Sequence, residues 1–261
     1  MLDQLRELAP IRALRRYRFD RRFVRHGDGF CRGVFESFAA AVASAPSARP
    51  VGYDHGDAAG MYRDRMSRVY AMDYPVLFWL TRLYPTGMSR LFDYGGHVGV
   101  CHYAWRRHLE SCPIARWTVL DLPAVVQEGA ALARTRGERS LEFTSEFATA
   151  SGADVLLANG SLQYVEDSFA RLVSTLASPP RHVIVNKLPT HAGRAFVTLQ
   201  HIGVAYCPYR IHQVEDVPRS MAAIGYREVD RWENPDLSCR LPFHPEAHPI
   251  TYRGYCFELA S

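Results

Sequence analysis

An apolar run that ends in an acid and breaks at once into glycines constrains this chain more than any other feature. Residues 91–103 read Leu-Phe-Asp-Tyr-Gly-Gly-His-Val-Gly-Val-Cys-His-Tyr, with the acid at Asp93 and glycines at Gly95, Gly96 and Gly99. The pattern predicts strand, tight turn, helix. Glycine lets a backbone turn sharply and approach a ligand with no Cβ in the way. In an open α/β sheet such turns lie beyond the carboxyl ends of the strands, where ligands bind.

A second acid sharpens the reading. Trp117-Thr-Val-Leu-Asp121 is another apolar run, and its acid lies 22 positions beyond Gly99. At that distance in a nucleotide-binding unit a carboxylate reaches the ribose hydroxyls. The glycine spacing is not the dinucleotide pattern Gly-x-Gly-x-x-Gly. A pyrophosphate seeks the positive end of a helix, whereas Asp93 suits a cationic ligand with an amino-acid end.

Strand and helix patterns alternate through the rest, which predicts an α/β fold. Strands are expected at about 91–94, 117–121, 141–143, 154–159 and 182–186, with helices at about 100–110, 124–136 and 167–177. A helix over Glu215–Ala223, with Gly225 behind it, precedes two alternating strands, Tyr226–Trp232 and Thr251–Leu259. Residues 1–43 read as helical, with arginines on one side, Leu2, Leu5, Leu8, Ile11 and Leu14 on another, and a break near Pro10. Residues 44–50 read as a linker. Residues 57–84 read as helix, and the segment before the core carries Tyr53, Tyr62, Tyr70, Asp73 and Tyr74, an aromatic set that suits packing against the sheet. The division expected is a helical region over 1–85 and an α/β domain over 86–261.

Charge and composition exclude several classes. The formal net charge is +4, but residues 1–26 hold eight arginines against Asp3, Glu7 and Asp20, or +5, leaving the remainder near −1. Such a remainder is not a nucleic-acid surface. The arginine-rich segment suits a membrane surface or a partner, or a solvated helix packing on its own domain or on a second copy. No run of eighteen apolar residues provides a membrane span, and the N-terminus lacks the apolar stretch of a secretory signal. Six cysteines without metal-ligand spacing read as reduced thiols of a cytoplasmic protein, and no metal is expected. Lys187 is the only lysine.

The turn over Asp93–Gly99 and the tripeptide Asp121-Leu122-Pro123 resemble those of class I S-adenosylmethionine-dependent methyltransferases, over roughly residues 50–261. Within that superfamily the chain is similar to a bacterial small-molecule methyltransferase family whose glycine motif runs Asp-aromatic-Gly-Gly-x-x-Gly. Its general look also resembles azetidine-2-carboxylate synthases built on the same scaffold. The resemblance implies a Rossmann-like sheet of seven strands with the last pair antiparallel, a helical extension or lid, and S-adenosylmethionine as cofactor. It implies that Asp93 and the backbone of Gly95 and Gly96, in the turn closed by Gly99, orient the methionine end. Asp121 would hold the ribose and Leu122 lie against the adenine. Ser145, Glu146 and Phe147 would contact the adenine amino group and cover its face, although a Ser-Glu pair also suits a helix cap. Asn159, Gly160 and Ser161 would face the sulfonium, and glutamine occupies position 163, where many relatives carry histidine.

The resemblance leaves the reacting partner open. Catalytic candidates are His191, Tyr164 and Asn159, with His201 and His212 as further imidazoles. Neutral imidazole can serve as a general base, and the tyrosines Tyr164 and Tyr103 can face a cation. Lys187 could bind a carboxylate or be a solvated charge. The reading that follows is methyl transfer to a hydroxyl, amine or carboxyl of a small molecule. The alternatives are a cyclase that turns the cofactor into azetidine-2-carboxylate and methylthioadenosine, and a non-catalytic binding subunit. A homodimer through the N-terminal helices is also expected.

Overall fold

The computed structural model describes residues 9–26, 29–52 and 63–260. Among them the strands are β1 (Cys31–Phe35), β2 (Arg90–Tyr94), β3 (Arg116–Leu120), β4 (Leu141–Thr144), β5 (Val155–Asn159), β6 (His182–His191), β7 (Phe196–His201), β8 (Tyr206–Gln213), β9 (Tyr226–Glu233) and β10 (Thr251–Leu259). The helices are α1 (Ala9–His26), α2 (Phe38–Ala43), α3 (Tyr74–Leu83), α4 (Val100–Trp105), α5 (Pro123–Arg136), α6 (Phe169–Ser174) and α7 (Asp216–Ala223).

Strands buried on both faces read as continuous apolar runs, and β5 and β6 are built that way. Successive side chains of a strand leave opposite faces. Val155, Leu157 and Ile184 therefore enter one core with α3, α4 and α5, through Leu80, Trp105 and Val125. Leu156, Ala158, Val183 and Val185 enter a second core with α6 and α7, through Val173 and Met221. The strand order is β4-β3-β2-β5-β6, all parallel, continued by β10 and then β9, with β10 antiparallel to both neighbours. This is the expected Rossmann-like sheet of seven strands, and its helices lie on both faces.

Three more strands extend it. β7 pairs antiparallel with β8 and with β1, and β8 joins β6 in parallel at Thr190↔His212 and His191↔Gln213. The first half of β6 thus belongs to the parallel sheet and its last two residues to the added one. Lys187 stands between the two halves with φ +56. Two expectations are corrected here. Residues 31–35, read as part of a helical N-terminus, form a strand because β7 offers them an edge far away in sequence. Residues 206–212, an aromatic stretch that reads as a loop, instead form most of β8, which pairs with β7 as a hairpin, since Phe196-Val-Thr-Leu is buried throughout.

The N-terminal segment packs on its own chain. Phe23 of α1 is fully buried with Leu199 and Tyr206, while Ile11, Leu14 and Tyr17 are exposed. β1 pairs with a strand of the 86–261 region, so the two regions share one sheet system. Pro10 lies in the first described turn of α1, and Leu2, Leu5 and Leu8 fall outside the described residues. Of the helix expected over 57–84, residues 57–62 lie outside the described residues, 63–67 and 71–73 form 3-10 turns, α3 covers 74–83, and Tyr84 opens another 3-10 turn. Tyr53 and Tyr62 lie outside the described residues. No described helix is long and apolar enough to cross a membrane.

Candidate functional site

The carboxyl ends of β2, β3, β5 and β6 meet along one edge, and the candidate residues gather there. At the β2 exit Asp93 is 1% exposed. Its Oδ2 accepts a hydrogen bond of 3.2 Å from Trp117 Nε1, and its Oδ1, also buried, has no partner among the described residues. Burial, reinforced by nearby Asp121, raises its carboxyl from 3.8 to about 7, against the opposing pull of the indole hydrogen bond. A Cβ on Gly96 would lie 2.4 Å from Asp93 Oδ2, so only glycine lets the turn pass over this acid. Gly99 starts α4 at φ +87, and Gly95 donates its N–H to Leu120 O at 2.8 Å.

Asp121 faces the same turn from β3. Its Oδ2 accepts from His97 N at 2.9 Å and its Oδ1 from Leu122 N at 2.8 Å. Burial pushes its pKa up, and these two backbone donors pull it back. A carboxylate has about four acceptor sites, so the two oxygens retain capacity for a diol. Leu122 is 37% exposed beside it. Beyond β4, Phe147 packs edge-on against Phe92 and Tyr94, with ring centroids 5.9 and 5.7 Å away. Ser145 and Glu146 are exposed, and Glu146 N–H donates to Thr144 Oγ1 at 3.0 Å. The threonine therefore caps this turn.

The β5 and β6 exits are cross-linked. Gly160 N–H donates to Asn186 O at 3.0 Å, and Gln163 Nε2 donates to Gly160 O at 2.7 Å. Ser161 Oγ donates to Tyr94 O at 2.6 Å, tying the β5 loop to the β2 exit. Asn159 donates to Cys101 Sγ at 3.1 Å and accepts from Asn186 Nδ2 at 3.0 Å. Asn186 also donates to Met72 O at 2.9 Å, and its Oδ1 accepts from Trp232 Nε1 at 2.9 Å and Asn234 Nδ2 at 3.0 Å. One amide thus joins the sheet, the segment before α3 and the closing strand pair. Beside it Lys187 Nζ donates to Asp73 Oδ1 at 2.7 Å, with the two side chains 18% and 5% exposed. Asp73 Oδ2 in turn accepts from Tyr70 N–H at 3.1 Å.

Asp93, Gly95, Gly96, Gly99, Asp121, Leu122, Phe147, Asn159, Gly160 and Ser161 are brought together at or beside this edge. His191 is not. It lies five residues past Asn186, about 15 Å along an extended strand, and its Nδ1 accepts from Gly193 and Arg194 N–H at 3.1 and 3.2 Å. An imidazole accepting at Nδ1 carries its proton at Nε2 when neutral, so it is set to donate. Tyr164 turns toward the added strands, donating to Gln200 Oε1 at 2.7 Å and packing edge-on against Tyr209. Tyr103 is buried with Arg136 4.5 Å above its ring. His212 is held neutral, its pKa lowered to about 3 by burial and by Arg210.

Sequence reasoning missed Asn186, Trp232, Asn234 and the Asp73 partner of Lys187. Asparagine at position 186, directly after the apolar run Val183-Ile-Val185 of a strand, was the available signal. No group of three or more potential metal ligands occurs among the described residues.

No family model matches the chain, and no curated protein matches it. Solved structures of similar overall shape exist at low identity. One is a Burkholderia thailandensis 1,6-didemethyltoxoflavin N1-methyltransferase with bound 1,6-didemethyltoxoflavin and S-adenosylhomocysteine: 20% identical, covering 73% of this chain and 79% of that one, TM-score 0.49. A second is a magnesium protoporphyrin IX methyltransferase from Synechocystis with bound S-adenosylmethionine: 13% identical, covering 72% and 77%, TM-score 0.47. A third is the cyclase SpnF: 16% identical, covering 71% and 80%, TM-score 0.48.

Proposed function

We propose that this chain is an S-adenosylmethionine-dependent enzyme that transfers the methyl group to a small molecule. The observation that carries the reading is Asp93 Oδ1, a buried acceptor without a partner among the described residues, beneath a glycine turn whose backbone passes too close to the acid for a side chain. An under-satisfied carboxylate in that position is completed by a cationic ligand group. Asp121, with acceptor capacity left over, stands where a ribose diol would be held. Leu122 and Phe147 offer apolar surface on the adenine side.

The residues fit the cofactor, and each has a stated task. Asp93 and the Gly95–Gly96 backbone hold the amino-acid end, and Asp121 holds the ribose. Gly160, without a side chain, leaves the β5 exit open toward the sulfonium. Bound there, S-adenosylmethionine would supply an electrophilic methyl carbon. The protein's own contribution is alignment of acceptor and methyl within a dry site, for which the lid segment bonded to Asn186 and Lys187 is placed.

The test is calorimetric titration of wild-type protein and Asp121→Ala with S-adenosylhomocysteine. The reading expects binding by the wild type and a loss of at least about tenfold in the variant, the scale of one lost hydrogen bond to a charged group. Equal affinities would overturn it. Incubation with S-adenosylmethionine alone separates the chemistries. Release of methylthioadenosine would replace methyl transfer by cyclisation of the cofactor.

A further inference from the structure

Lys187 is the single lysine among 31 basic residues, the rest being arginine. A lysine offers a compact ammonium with three donors, where arginine offers a wide planar fork. Its backbone adopts φ +56, a region that side-chain-bearing residues enter rarely and that is enriched at functional sites. Its Cβ and Cδ lie 3.6 Å from where a Cβ on Gly160 would stand, so the side chain runs along the β5 exit. Among the described residues Asp73 is its one hydrogen-bond partner, which leaves two donors of the ammonium. Asp73 comes from the segment before α3, on the lid side of the site.

Asp73 already balances the charge of Lys187, and the two remaining ammonium donors can still receive an oxygen beside the β5 exit. A protonated amine has no lone pair for the methyl carbon and would need a base to free one. A neutral alcohol would need a base, and the candidate imidazole His191 is distant and occupied as a turn cap. An oxygen acid that arrives ionised needs no base and is attracted by both cations, the ammonium and the sulfonium. We infer that Lys187 selects an acceptor reacting through an anionic oxygen, a carboxylate, phenolate or enolate, and holds that oxygen during transfer. This rests on the methyl-donor reading above.

The step balances without a proton acceptor. The acceptor oxygen uses a lone pair to form the O–CH3 bond as the S–CH3 bond breaks, and the bonding pair returns to sulfur. One anion and one sulfonium become a neutral ester or ether and a neutral thioether. Asp73 is the resting counter-charge of Lys187 and competes with the acceptor for the ammonium.

That competition gives a test with opposite signs. Benzoate is titrated into the S-adenosylhomocysteine-saturated protein and into the protein alone, with benzylamine as the cationic control. Lys187→Met is expected to weaken benzoate binding about tenfold or more, on the scale of a lost charge-assisted hydrogen bond, and Lys187→Arg to retain most of it. Asp73→Asn is expected to tighten it severalfold. A purely structural ion pair would make Lys187→Met and Asp73→Asn shift in the same direction, and that result, or preference for benzylamine, overturns the inference. Should Asp73→Asn fail to fold, the contrast between Lys187→Met and Lys187→Arg decides alone. Failure of S-adenosylhomocysteine to bind the wild type would sink the donor reading while leaving the benzoate titration of the protein alone to judge Lys187. With turnover, carboxylic acids and phenols should release S-adenosylhomocysteine faster than amines do.

Discussion

At the end of β2 a buried carboxylate has one side-chain donor, whereas at the end of β6 a buried amide has all four of its hydrogen bonds. Asp93 receives only Trp117 Nε1 on one oxygen, and Asn186 is bonded to Met72, Asn159, Trp232 and Asn234. Both side chains are 1% exposed, so burial does not separate them. The difference is between a group the fold completes by itself and one it leaves short of a partner among the described residues. Satisfied buried networks rigidify a structure. An unsatisfied buried acceptor is a standing cost that binding can relieve.

The largest expected effect comes from breaking the complete end. Asn186→Ala strands two donors and two acceptors, and should cost about 4 kcal/mol of stability, at roughly 1–3 kcal/mol for each buried group left unpaired and with incomplete additivity. Denaturant unfolding measures it, and a loss below about 1 kcal/mol would contradict a structural role for the amide.

Gly96→Ala comes next. Its new Cβ would meet the Asp93 carboxyl at 2.4–2.9 Å, a clash between buried groups expected to cost about 2 kcal/mol. S-adenosylhomocysteine affinity should fall by more than tenfold, about 1.4 kcal/mol. Retained affinity, read by calorimetry, would place the ligand elsewhere.

Asp93 itself should act through pH. Its folded-state pKa is raised from 3.8 to about 7 by burial, so the fold favours the neutral acid. The stability this group contributes is fully present below about pH 4 and is lost as pH climbs through 7. Thermal unfolding of Asp93→Asn should lack that slope and exceed the wild type by about 2 kcal/mol at pH 8, a figure discounted from the roughly three-unit shift. A cationic ligand pairs with the ionised form, so wild-type affinity for S-adenosylmethionine should rise toward pH 7 by up to about tenfold per unit and then level. A flat profile would remove Asp93 from the binding site.

The smallest effect is at Leu122. Truncating an exposed side chain to alanine should change stability by less than about 0.5 kcal/mol. If the leucine covers adenine, affinity should still fall about threefold, on the scale of one lost apolar contact. An unchanged affinity would leave adenine to Phe147.

The β2 exit was legible in the sequence because everything that builds it is local. An apolar run, an acid and three glycines within seven positions dictate strand, turn and helix, and Asp121 follows at fixed spacing. The β6 exit was not, because its partners come from positions 72, 159, 232 and 234 and are joined only by the sheet order. Lys187 was visible as a rare residue, but its counter-charge Asp73 lies 114 positions earlier. β1 was misread for the same reason. Its five residues carry little strand signal of their own, and the edge they complete belongs to β7.

That pairing has a consequence for how the chain is made. Cys31 is matched to Gln200, so β1 leaves the ribosome well before its partner exists. At about 20 residues per second, a fast pace of synthesis, the wait is roughly eight seconds, long compared with the microseconds in which a hairpin forms. Throughout it, an unpaired strand and the phenylalanines of α1 are exposed to every nascent neighbour. The arginines crowding α1 are well suited to that interval, since like charge keeps unfinished chains apart. The same helix that packs through Phe23 in the finished protein can thus act earlier as a guard on its assembly.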